Sequence, residues 1–252
     1  MRSAGRQCFM LCCVALTVAW GSPSAAVTAT VVDVPTRGVV QRFLYIRPDA
    51  PVANIVFLPG LDGIFDIQGD GTMPTIAGRC APFARNRDAF AARGFAVALV
   101  DQASDFKIRN QEDIREVVRY MRNRDNVPTW IVGGSASTTA ALSIAVALPP
   151  DELLGVIIFS PARPDLAKAS LVKQPVLIVY HRDDAQSQPV VDPLYEALTS
   201  TPAKERAGLA GGSNDGCGYH LFAGIDAEFV AAVARFIDKH GTMRGQPAER
   251  PK

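Results

Sequence analysis

Residues 130–139 read WIVGGSASTT, from Trp130 to Thr139. The stretch leaves a β-branched apolar run through Gly133 and Gly134, then places Ser135 and Ser137 immediately after it. The apolar run suits a buried strand. The residues beyond, STTAALSIAVAL, suit an apolar helix that stops at Pro149 and Pro150. A strand that turns into a helix through small residues in so little chain implies a sharp, crowded bend. Either Ser135 caps the new helix, or one of the two serines stands exposed on the bend as a nucleophile.

Working outward, the same alternation recurs. NIVFLPG, FAVALVD, LLGVIIFSP and PVLIVYHRDD are short runs that are apolar almost throughout. Between them lie helical patterns: RNRDAFAARG with a glycine stop, NQEDIREVVRYMRNR with Asn110 as N-cap and acids in its first turn, DPLYEALTS, and EFVAAVARFIDKH. Continuous apolar strands alternating with helices predict an α/β fold, a mostly parallel sheet covered by helices on both faces. VTATVVDVP and QRFLYIRP, joined at TRG, predict an antiparallel pair at its edge. LDGIFDIQGDGTMPTIAGRCAP predicts one long glycine-rich loop, a length that usually carries function. In such sheets the site lies beyond the carboxyl ends of the strands.

The ends read differently. In residues 1–26, Arg2 and Arg6 precede the apolar 13-residue run CFMLCCVALTVAW, and Ser24 and Ala26 sit at small-residue positions. This pattern predicts a secretory signal peptide cut after Ala26, a domain over 27–241, and a frayed tail over 242–252. The expected location is periplasmic or secreted. Removing the two arginines takes the formal charge from +1 to −1. That balance gives no reason to expect nucleic acid or, once the signal is removed, a membrane as a partner. A monomer is the expectation. Of five cysteines, only Cys80 and Cys217 remain after the cut. An oxidising compartment favours one bridge between them, the alternative being two buried thiols.

The candidate nucleophile is Ser135. The strained turn G-x-S-x-G needs small residues two before and two after the serine, so that strand and helix can pack. Ser135 has Gly133 and Ser137 in those places. Ser137 as nucleophile would be flanked by Ser135 and the bulkier Thr139, a poorer match. On this reading Ser137 merely replaces a glycine, and restoring glycine should be harmless. A serine nucleophile needs a base and an orienting acid, which follow it in chain order on such sheets. Of three histidines, His220 lies in the glycine-rich GCGYHLFAG ahead of the last helix, His181 closes a strand, and His240 ends the chain's last helix. His220 is the candidate base. The acid should follow VLIVY, where HRDDA offers Asp184 and, less well placed, Asp183. Backbone N–H groups of Ala136 and Leu61 are the candidate oxyanion donors.

Taken together, PTRGVVQRFLYIRP, FLPGLDGIFDIQGDG, RNRDAFAARGFAVALVDQASD, WIVGGSAS, YHRDD and GCGYHLFAGID resemble the α/β-hydrolase superfamily, and more narrowly a group of exported bacterial α/β-hydrolases. The resemblance implies a serine hydrolase with Ser135, Asp184 and His220 as its triad, and it keeps a cysteine near the histidine as Cys217. Its departures are Ser137 for glycine, Tyr180 before His181, and Gln186 where relatives tend to carry a cysteine.

ARPDLAKASLVKQ is too short to be a cap domain, so an open site is expected. Ile64 and Phe65, with Ile67, Met73 and Ile76, are candidates for a substrate-binding wall. No cofactor is implied: there is no dinucleotide motif and no ligand cluster for a metal. A carboxylic ester, small or borne on a polymer, is the expected substrate. An amide or peptide bond, or an inactive binding protein on the same fold, remain open.

Overall fold

The computed structural model describes residues 27–214 and 216–241. The expected signal peptide and tail lie outside the described residues. The chain order is β1 (Val27–Thr36), β2 (Val39–Pro48), β3 (Ala53–Leu58), α1 (Ile76–Cys80), α2 (Pro82–Arg85), α3 (Arg87–Ala91), β4 (Phe95–Ala103), α4 (Gln111–Asp125), β5 (Thr129–Gly134), α5 (Thr138–Ala147), β6 (Gly155–Phe159), α6 (Leu166–Ala169), β7 (Val176–His181), α7 (Gln188–Ala197), β8 (Lys204–Leu209) and α8 (Asp226–His240). The strands form one eight-stranded sheet in the order β1-β2-β4-β3-β5-β6-β7-β8. Only β2 runs against the others, pairing antiparallel with β1 and β4. The remaining pairs are parallel.

The apolar strands conceal a period of two. In β3, Ile55 and Phe57 face one core, and Val56 and Leu58 face the other. In β5, Trp130 and Val132 oppose Ile131 in the same way. Because helices cover both faces, both halves of each alternation are apolar and the period disappears from the sequence. On one side lie α1–α3 and α8, with a cluster of rings: Phe83 stacks on Phe90 at 4.6 Å and meets Phe229 edge-on at 5.5 Å. On the other lie α4, α5 and α7, through Ile114, Val118, Leu142, Val191 and Leu194. The expected Asn110 cap is present, its side chain accepting from Glu112 N and Asp113 N.

Three expectations about the elements change. The long loop ends earlier, because α1 forms at Ile76, with the Thr75 hydroxyl accepting from Gly78 N at 3.1 Å. The seventh helix begins at Gln188 rather than Asp192 and carries Pro193 inside it. KERAGL, unassigned from sequence, is the edge strand β8 beside β7. Its residues are only half-covered, so it carries charge rather than an apolar run, which suits an edge strand that must not recruit another chain. Between β6 and β7 only the four-residue α6 intervenes, so no cap domain stands over the carboxyl ends of the strands.

Candidate active site

The bend at 133–137 is as crowded as its sequence implied. A Cβ on Gly133 would meet Ala141 Cβ at 2.6 Å, and one on Gly134 would sit 2.0 Å from the ring of Phe159. Ser135 follows with φ of 49°, a conformation a serine adopts at some cost, and opens a single 3₁₀ turn over Ser135–Ser137. Its hydroxyl therefore leaves the sheet at the carboxyl end of β5.

Two other loops converge on it. His220 Nε2 lies 2.9 Å from Ser135 Oγ, and His220 Nδ1 lies 2.7 Å from Asp184 Oδ2. A carboxylate only accepts, so Nδ1 carries the proton and Nε2 is left to accept from Ser135. Asp184 is buried. Burial is the largest influence on its carboxyl and raises its pKa. Hydrogen bonds from His220, Ser187 and Gln186 N together outweigh that and hold it below the usual carboxylate value. Asp183 points away, its side chain 62% exposed, while its backbone N donates to His181 Nδ1 at 3.0 Å. His181 is wholly buried, with Nε2 donating to Gly211 O at 2.8 Å and its ring stacked on Tyr219 at 4.4 Å. It buttresses the loop of His220. His240 lies elsewhere, 3.0 Å from Glu205.

The histidine loop is held from several sides. Cys80 and Cys217 form a disulfide with Cα atoms 5.3 Å apart, joining the end of α1 to this loop. Arg85 adds hydrogen bonds to Leu221 O at 2.9 Å and Cys80 O at 2.5 Å. Ser160, at the end of β6, donates to His220 O. Sequence reading named neither Arg85 nor Ser160. SP after an apolar run marks the end of a strand, but nothing local tells that its hydroxyl reaches a residue 60 positions away.

A small cavity beside Ser135 is lined by Gly60, Leu61, Ala77, Ala81, Phe159, His220 and Leu221. Of the residues expected to form a substrate wall, Phe65 belongs to the core instead. It is fully buried and packs on Phe57 at 5.9 Å. The cause is Asp101, whose carboxylate accepts from Phe65 N at 2.9 Å and Ile67 N at 2.7 Å and folds the loop inward against the sheet. Ile67 and Met73 are buried with it. Ile64 is half-buried and Ile76 is exposed, and neither lines the cavity. Of the two oxyanion candidates, Leu61 lines the cavity, and Ala136 follows Ser135 in the 3₁₀ turn.

Ser137 is buried at the foot of this site. Its hydroxyl donates to Pro59 O and accepts from Arg109 Nε at 2.5 Å. Burial pulls the Arg109 guanidinium below its usual pKa, and Asp62 partly offsets this.

No protein-family model and no curated protein matches the chain. Solved structures do. A dienelactone hydrolase from Anabaena variabilis superposes with a TM-score of 0.65 at 14% identity, over 86% of this chain and 99% of that one. An esterase from Pyrococcus furiosus gives 0.63 at 11%, over 85% and 93%. A predicted hydrolase from Thermoplasma acidophilum gives 0.58 at 13%, over 85% and all of the other chain. With its sheet order, its strained serine turn and these likenesses over most of its length, the chain has the fold of the α/β-hydrolase superfamily.

Proposed function

We propose that the chain is a serine hydrolase acting on carboxylic esters with short acyl groups. The observation that carries this reading is the unbroken relay from Ser135 through His220 to buried Asp184, at 2.9 and 2.7 Å, with Ser135 on a strained turn. Ser135 Oγ attacks the ester carbonyl carbon while its proton passes to His220 Nε2. Asp184 keeps Nδ1 protonated and stabilises the imidazolium that results. The carbonyl π pair moves to oxygen, where Leu61 N–H and Ala136 N–H receive it. When the pair returns, the ester C–O bond breaks and the alcohol leaves with the proton from His220. A water then repeats the sequence on the acyl-enzyme and releases the acid, restoring Ser135.

The cavity supports the acyl preference. It measures about 20 Å³, against roughly 10–15 Å³ needed for a single water, and its walls are almost wholly apolar. It suits an acetyl or propionyl group. With no cap above it, the leaving-group side is open to a small alcohol or to one borne on a polymer. The Cys80–Cys217 bridge supports work in an oxidising compartment, periplasmic or secreted.

The test is labelling by a fluorophosphonate, followed by turnover of p-nitrophenyl esters from acetate to octanoate and of the matching anilides. Labelling, with acetate preferred over octanoate and esters over anilides, supports the proposal. A folded protein that takes no label is a binding protein, and the proposal fails. Labelling with anilides preferred shifts the activity to amides.

A further inference from the structure

We infer that Arg109 and Ser137 are positioning residues of this site, locking the backbone of residues 59–61 so that Leu61 N–H is presented to the developing oxyanion. The inference rests on the proposed esterase reading and deepens it. One guanidinium gathers three consecutive carbonyls: Arg109 Nη2 donates to Pro59 O at 3.0 Å, Gly60 O at 3.2 Å and Leu61 O at 3.0 Å, and Nε reaches Pro59 O at 3.2 Å. Among the described residues Arg109 has no carboxylate within ion-pair distance. A charge taken from water, its hydrogen bonds given only to neutral groups, is costly to keep, and the return here is the shape of one loop.

That shape bears on the reaction through peptide geometry. All peptides described are trans, so the C=O of Gly60 and the N–H of Leu61 point in opposite directions. With Gly60 O turned to Arg109, Leu61 N–H leaves from the other side. It has no acceptor among the described residues. Leu61 lines the cavity with Ser135 and His220. Gly60 passes so close that a Cβ on it would meet Ser135 Cβ and Gly134 O, each at 3.1 Å. Leu61 itself sits at φ of 52° and Arg109 at 57°, conformations such residues hold only where the surroundings over-determine them.

Ser137 links this loop to the nucleophile's own turn. Through its hydroxyl, Pro59 O and Arg109 Nε are joined to a residue two positions from Ser135. A glycine there, harmless on the sequence reading, would remove that link. The planar fork of arginine can serve three carbonyls and a hydroxyl together, which a lysine ammonium cannot.

The experiment measures kcat and KM for p-nitrophenyl acetate in Ser137→Ala, Ser137→Gly, Arg109→Lys and Arg109→Met, per active site counted by fluorophosphonate titration. It also measures inhibition by a trifluoromethyl ketone, which forms a tetrahedral oxyanion on the serine. Complete loss of an oxyanion donor costs on the order of 10²–10³-fold in kcat, so misalignment should cost about 10-fold in the Ser137 variants and about 10²-fold in Arg109→Met, with Arg109→Lys between. KM should stay within about two-fold, and the ketone should weaken in step with kcat, as expected of an interaction made in the transition state. A purely structural role would reduce the number of titratable sites and leave turnover per site alone. Should Arg109→Met fail to fold, Ser137→Ala, which deletes a single oxygen, decides. Unchanged turnover per site, in variants of an active wild type, overturns the inference alone. A wild type without esterase activity overturns the functional reading and the inference with it.

Discussion

Ser160 Oγ donates to the backbone carbonyl of His220 at 2.5 Å, joining the carboxyl end of β6 to the loop that bears the candidate base. Ser160 is fully buried and sits at φ of 41°. Ser160→Ala leaves that carbonyl without its donor, at about 1–3 kcal/mol of stability. It also frees the backbone of His220, so kcat should fall several-fold with KM little changed. Thermal unfolding and ester turnover measure the two effects separately, and a variant with wild-type values of both would sever Ser160 from the site.

Ser135→Ala should abolish both fluorophosphonate labelling and ester turnover while the fold persists. Ser135→Gly should be equally inactive yet more stable than Ser135→Ala by roughly 1 kcal/mol, because glycine adopts φ of 49° without the strain of a Cβ. Denaturant unfolding of the two inactive variants compares them directly. Equal stabilities would mean that the turn stores no strain.

Asp184→Asn should lower kcat by about 10³–10⁴-fold, since an amide can no longer fix the imidazole tautomer. Asp183→Asn, with a carboxylate mostly in water, should change it less than about two-fold. The pH dependence has a definite sign. The pKa of Asp184 is depressed in the folded protein, so ionisation of Asp184 contributes stability above its unfolded value, and that contribution is lost as pH falls through the folded one. Asp184→Asn should therefore flatten the acid limb of the stability–pH curve. An acid limb identical to wild type would contradict this.

The Cys80–Cys217 bridge spans 137 positions. In the chain-entropy model a closed loop of this length stabilises by about 5 kcal/mol, an upper figure. Cys80→Ser with Cys217→Ser should lower the unfolding temperature and reduce turnover, since the bridge ties α1, one wall of the cavity, to the His220 loop. Mass spectrometry without reductant, on the protein lacking residues 1–26, should find no alkylatable thiol; finding two would remove the bridge from the account.

Arg37 in the β1–β2 turn pairs with Asp105 at 2.8 Å and with fully buried Asp113 at 2.7 Å. Asp113 also accepts from Thr36 Oγ1 at 3.1 Å. Arg37→Ala strands a buried carboxylate and should cost about 3–5 kcal/mol in equilibrium unfolding.

Much of the fold was legible from WIVGG, NIVFL, VIIF and VLIVY, because a strand buried on both faces must be apolar along its length. The charged KERAGL was not, because an edge strand's pairing depends on its neighbour β7 rather than on its own pattern. Ser135, His220 and Asp184 were legible as candidates, since turn chemistry and chain order constrain them locally. The wall of the cavity was not. Phe65 looked free to meet a substrate, yet the carboxylate of Asp101, 36 positions on, draws its backbone into the core.

The amino-acid sequence by itself determined the alternation of strands and helices, the crowded bend at Gly133–Ser135 and the three residues offered for a relay. Each depends on periodicity or on steric demands within a few neighbouring residues. Only the tertiary structure decided which aspartate faces His220, which side chains enclose the cavity, and that Ser137 and Arg109 grip the loop of Leu61. Those outcomes rest on hydrogen bonds between segments 28 to 78 positions apart, and such contacts leave no periodic or local trace in the chain.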